Sequence, residues 1–110
     1  MKRFKFLIFL SFIAFPVLAG TQSGKVDRLI VRASDGLIYF VLAGGAIVDA
    51  PDCAVKGYWI IKDENAEAGK QQYSMVLAAF TSGKTIKISG SNTCTRWRDG
   101  EDVNEIMLLQ

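Results

Sequence analysis

Histidine is absent from this 110-residue chain, and there are only two cysteines and two prolines. Without histidine, the commonest general acid–base group and the familiar nucleophile triads are excluded. Two cysteines with no histidine beside them make a poor zinc site, and no metal or cofactor is implied. Long apolar runs are also scarce. The main one, residues 6–15, is shorter than the roughly 20 apolar residues that a membrane span requires.

That run sits in "MKRFKFLIFLSFIAFPVLAG", after a basic start (Lys2, Arg3, Lys5) and before Pro16 and the small-residue end Val17-Leu18-Ala19. This is the pattern of a cleaved signal peptide, residues 1–19, with the cut after Ala19. The expected mature chain is a single domain, residues 20–110, periplasmic or secreted, without membrane attachment once the leader is removed. Three of the 13 basic residues leave with the leader, so 10 face 11 acids and the net charge becomes −1. No basic stripe remains to neutralise phosphates, which argues against a nucleic-acid partner.

A mature domain of this size buries a modest core and benefits from a staple. In an oxidising compartment Cys53 and Cys94 can supply one. An intrachain disulfide closing so long a loop stabilises by roughly 3–4 kcal/mol on chain-entropy grounds. The alternatives are an intermolecular bridge and a metal site.

The pattern along the rest of the chain is β-β-β-α-β-β. "GTQSG" (20–24) reads as a loose N-terminus, and "KVDRLIVRA" (25–33) and "LIYFVLA" (37–43) as a hairpin about the turn "SDG". "YWIIK" (58–62) reads as a third strand. Asp63 and Asn65 are candidate caps for a helix over 66–82, which Gly83 and Lys84 terminate. Its apolar face is expected at Tyr73, Val76, Leu77 and Phe80. "TIKIS" (85–89) and "VNEIMLL" (103–109) complete the strands. Five strands with a helix between the third and fourth predict a β-rich α+β fold, a five-stranded OB-fold-like barrel whose open end Tyr73, Leu77 and Phe80 would plug. An open sheet packed on the helix is the competing arrangement.

Several apparent motifs do not carry chemistry. "SGKT" (82–85) lacks the glycine that a phosphate-binding loop needs at position 78, and it closes a helix rather than opening one. Ser82 and Lys84 lack the spacing of a serine–lysine dyad. Asp63 and Glu64 are adjacent acids at a helix start, where they serve first as dipole partners. "DGED" (99–102) lacks the spacing of a calcium loop and reads as a solvated turn. No catalytic residue is assigned, and the chain is read as a non-enzyme.

The chemistry-bearing stretch is "TCTRWRDGED" (93–102). In an OB-fold it joins the last two strands, in one of the loops that frame the ligand face. Trp97 offers an indole face to a sugar ring, while Arg96, Arg98 and Asp99 can bind hydroxyls or, for the arginines, a carboxylate. The bland alternative packs Trp97 over the disulfide and pairs the arginines with Asp99 and Glu101. Tyr58 and Trp59 point to opposite faces of their strand, so one belongs to the core and the other is open for contact.

"YSMVLAAFTSGKTIKIS", followed by a turn and a cysteine, resembles small secreted bacterial proteins related to the B subunits of the subtilase-cytotoxin and pertussis-like toxins. The likeness covers about residues 57–95 and lies in pattern and element order. It implies an OB-fold, assembly into a homo-oligomeric ring of five, and a glycan or glycoprotein partner. No sugar-contacting residue is carried over, because none matches position by position. Two functions follow. One is a carbohydrate-binding, toxin-B-like subunit, which needs "IMLL" as an open apolar edge. The other is a periplasmic or secreted protein-interaction or inhibitor protein, which needs "IMLL" buried within the monomer.

Overall fold

The computed structural model describes residues 18–110, so the leader lies almost wholly outside the described residues. Its elements are β1 (Thr21–Val31), β2 (Ile38–Ala43), β3 (Trp59–Ile60), α1 (Glu67–Ser82), β4 (Thr85–Gly90) and β5 (Glu101–Leu108). The strands close a barrel in the order β1-β2-β3-β5-β4, the OB-like arrangement with α1 between β3 and β4. Among the described residues no helix is long and apolar enough to cross a membrane.

Closure depends on β1, and here the expectation of a loose N-terminus is overturned. Residues 21–25 pair with β4, from Thr21↔Ser89 to Lys25↔Thr85, and the strand continues to pair with β2 as far as Val31↔Ile38. A bulge between Val26 and Arg28 bends the strand so that one element serves both neighbours. "GTQSG" looks loose because it is polar and glycine-bearing. Gly24 is required, since a Cβ there would lie 2.2 Å from the Ala43 carbonyl oxygen.

At the opposite seam β3 and β5 run parallel, with Trp59 beside Glu101 and Ile60 beside Asp102. This pairing starts β5 two residues before the expected Val103. The alternation of β2 sends Phe40 and Leu42 inward to meet Trp59, Ile86, Ile88 and Val103 in the core. The Trp59 indole N–H donates to Gln22 Oε1 at 2.8 Å, and Gln22 Nε2 donates in turn to the Gly45 carbonyl at 2.6 Å. Both polar groups that come with this core are thereby satisfied.

The helix ends where its stop signal places it. Gly83 adopts the left-handed conformation (φ 68°), and its N–H donates to the Ala79 carbonyl. Its start differs, because Ala66 is the N-cap without a side-chain bond, and Asp63 instead accepts the Asn65 N–H at 3.0 Å. The buried face differs too. Gly69, Val76 and Ala79 are buried and Tyr73 packs against the core, whereas Leu77 and Phe80 are 41% and 48% exposed. Leu77 and Phe80 therefore do not plug the barrel. Gly69 explains the rotation: a Cβ there would lie 1.8 Å from the Asp63 carbonyl oxygen, so the backbone of the first turn rests directly on the preceding loop. The small Ala79 then meets the barrel beside the bulkier Phe80, which points away from it.

Gly→Ala inside a helix ordinarily stabilises by about 1 kcal/mol. Here Gly69→Ala is expected to destabilise by about 1–3 kcal/mol, because backbone rather than a flexible side chain must give way. Urea denaturation of the oxidised protein reads the sign directly.

Candidate functional site

The loop from β4 to β5, residues 91–100, is held from below by two buried carboxylates. Asp102 is fully buried. Its Oδ2 accepts the Thr93 hydroxyl at 2.7 Å, the Thr95 hydroxyl at 2.6 Å and the Thr95 N–H at 2.9 Å, while Oδ1 accepts the Arg96 N–H at 3.2 Å. Burial works against its ionised form, but the bonds from Thr95, Thr93 and Arg96 outweigh it and hold the carboxyl below its ordinary range. Glu101, 1% exposed, accepts the N–H groups of Gly20 and Asn92. "DGED" is thus no solvated turn, since its two final acids are structural acceptors inside the fold. Among the described residues no three His, Cys, Asp or Glu side chains converge as a metal site.

The loop is also tied sideways. Cys53 and Cys94 form the intrachain disulfide, joining it to the connection between β2 and β3. This bond is the mark of an oxidising compartment. Arg96 donates through Nε and Nη2 to both oxygens of Glu64, at 2.9 and 2.8 Å, and through Nη2 to the Asp35 carbonyl at 2.9 Å. The hydrogen bond from Arg96 lowers the Glu64 pKa, and the same bond raises that of Arg96. One guanidinium therefore clamps the β4–β5 loop to the segment leading into the helix and to the β1–β2 turn. Arg96 thus holds the loop in place through its side chain.

Above this support lies a cleft of about 210 Å³ lined by Arg32, Leu37, Tyr39, Tyr58, Trp97 and Asp99. Tyr58, Trp97 and Asp99 come together there as the sequence suggests, while Arg96 and Arg98 do not line it. The Arg32 guanidinium lies 4.5 Å from the Trp97 ring centroid. Neither Asp99 nor Glu101 takes an arginine among the described residues; the acid paired with Arg96 is Glu64. Tyr58 is the outward partner of the buried Trp59, as their adjacency requires. Its ring lies over Gly100, where a Cβ would come within 2.7 Å, and sits 5.4 Å from Tyr39 with the planes inclined at 55°.

Arg32, Leu37 and Tyr39 escape the sequence reading. Tyr39 had a signal: with Phe40 inward opposite Trp59, strand alternation sends Tyr39 outward beside Tyr58. Arg32 had none, because its approach to Trp97 is a tertiary contact. Asp35 fixes it by accepting from both Nε and Nη2, and also takes the Leu37 N–H at 3.1 Å. The bond from Arg32, then that from Leu37, lowers the Asp35 pKa to about 2. Beyond the tyrosine pair the face continues into a shallower hollow of about 470 Å³, which Arg28 and Lys56 also line. Comparison with protein-family models and with curated proteins finds no match.

The depressed pKa of Asp102 makes a pH prediction. Its contribution is complete above the ordinary carboxylate range near ~3.9 and is lost as pH falls through the lower folded value. Asp102→Asn is expected to destabilise the oxidised protein at pH 7 by about 2–4 kcal/mol. It should also flatten the loss of stability below about pH 4. Denaturant titrations of both proteins, from neutral pH down through the carboxylate range, check the magnitude and the slope.

Proposed function

We propose that this chain is a secreted, non-enzymatic binding protein whose ligand is a carbohydrate with an acidic group. The observation that carries this reading is the cleft of Tyr39, Tyr58 and Trp97 beside Arg32, set between the β1–β2 and β4–β5 loops. Those two loops and the strands between them form the face that OB-like barrels use for oligosaccharides and oligonucleotides. At about 210 Å³ the cleft is smaller than the roughly 300–1,000 Å³ typical of drug-sized sites, and it suits one ring at a time. Aromatic faces accept the C–H side of a sugar. Asp99 accepts from hydroxyls, and the N–H groups of Arg32 not held by Asp35 can bind a carboxylate such as that of sialic acid. The adjoining hollow, with Arg28 and Lys56, extends the surface for a second residue.

Export follows from the leader pattern and agrees with the disulfide. The toxin-B-like reading adds assembly into a homo-oligomer, a ring of five if the resemblance holds. Met107 and Leu108 of "IMLL" support it, being 46% and 45% exposed on β5. The protein-interaction alternative asked for that segment to be buried within the monomer, and of Ile106, Met107 and Leu108 only Ile106 meets that condition.

Isothermal titration with sialylated oligosaccharides tests the reading. Tyr58→Ala and Trp97→Ala are each expected to weaken binding at least about tenfold, equivalent to about 1.4 kcal/mol, with the disulfide and fold retained. Lys87→Ala, at an exposed position of β4, should bind as the parent does. Undiminished binding by both aromatic variants removes the cleft from the site.

A further inference from the structure

Glu101 is a carboxylate buried at 1% exposure, and its only hydrogen-bond donors among the described residues are the backbone N–H groups of Gly20 and Asn92. No lysine or arginine pairs with it among the described residues. Burying a carboxylate without a counter-charge is costly, and two neutral amides compensate only part of that cost. The Gly20 nitrogen lies 3.2 Å from Oε1 and 3.1 Å from Oε2, so as an amide it shares one hydrogen between two oxygens. It is also the atom that cleavage after Ala19 would release as the new chain terminus.

We infer that removal of the leader creates a buried ion pair between the α-ammonium of Gly20 and Glu101, and that maturation thereby stabilises the closed barrel. This rests on the export reading above. In the step, water adds across the Ala19–Gly20 amide under a leader peptidase. The C–N bond breaks, the hydroxyl oxygen stays on Ala19 as a carboxylate, and the protons leave Gly20 as an ammonium. That ammonium carries three hydrogens in place of one, and a full positive charge opposite the unpaired carboxylate of Glu101.

The surroundings are shaped for this terminus. A Cβ on Gly20 would meet Glu101 Oε1 at 2.3 Å, and one on Gly90 would meet Oε2 at 1.8 Å, so glycine on both sides makes room for the carboxylate. The Gly20 carbonyl accepts the Gly90 N–H at 2.8 Å, and the next residue, Thr21, already pairs with β4. Ala19 is half-buried, and Leu18 is 57% exposed. The described structure also accommodates Ala19 without displacing Gly20. A form that retains Ala19 therefore differs at this point in charge and not in fit.

The test has two readouts. The intact mass of the exported protein reports the terminus, which is expected at Gly20. Thermal unfolding at pH 7 then compares protein beginning at Gly20 with protein retaining Ala19. The retained form is expected to melt at least about 5 °C lower, with the gap shrinking to about 1 °C when both carry Glu101→Gln. If Glu101→Gln does not fold, Nα-acetylation of the Gly20 form removes the charge alone and should reproduce the drop. Equal melting temperatures overturn the ion pair. A terminus elsewhere overturns it at its premise, which separates failure of the export site from failure of the pairing.

Discussion

Two carboxylates leave water at the start of β5, and the barrel closes on the residues that carry them. Glu101 and Asp102 are the β5 residues that pair with Trp59 and Ile60 of β3. Their side chains gather backbone from opposite directions: Glu101 takes the beginning of the barrel at Gly20, and Asp102 takes residues 93–96 of the loop that precedes it. A two-residue parallel ladder is a weak seam by itself, because parallel pairing is slightly less stable per residue and here it is very short. Inward-facing Trp59 and Val103, together with these acceptors, make the seam part of the core.

The same arrangement explains how an irregular loop can present a defined surface. Residues 91–100 are held by Asp102 beneath, by the disulfide at Cys94, and by the Arg96 clamp to Glu64 and the Asp35 carbonyl. Trp97 stands between these restraints, and Arg32 is aligned on it by Asp35. Ligand-binding side chains gain when their conformational entropy is lost during folding rather than on binding. The side chains of this segment thus divide into two groups. Arg96, Glu101 and Asp102 build the loop, while Trp97 and Asp99 face the cleft.

The element order and the fold class were legible in the sequence, because alternation, turn residues and a glycine stop signal act locally. The disulfide was legible from number and compartment. What escaped depends on contact across the chain. "GTQSG" is strand only because β4 needs a partner, and Gly69 turns the helix only because Asp63 lies against it. The "TCTRWRDGED" stretch stood out by its density of charged and aromatic residues, but which of its side chains support the loop and which line the cleft was not legible. A buried aspartate with four donors and one on the surface look alike in sequence. So do an arginine that clamps a loop and one that lines a cleft. Tyr39 was within reach of strand alternation, whereas Arg32 was not.

The central claim is that this supported loop and the tyrosine pair form a ligand face. Chemical-shift mapping on isotopically labelled, oxidised protein titrated with a sialylated oligosaccharide tests it most directly. The account predicts saturable shifts concentrated at Arg32, Tyr39, Tyr58, Asp99 and the Trp97 indole, with the core signals of Trp59 and Ile88 unmoved. Shifts concentrated on α1 or β4, or none with this ligand, would contradict it.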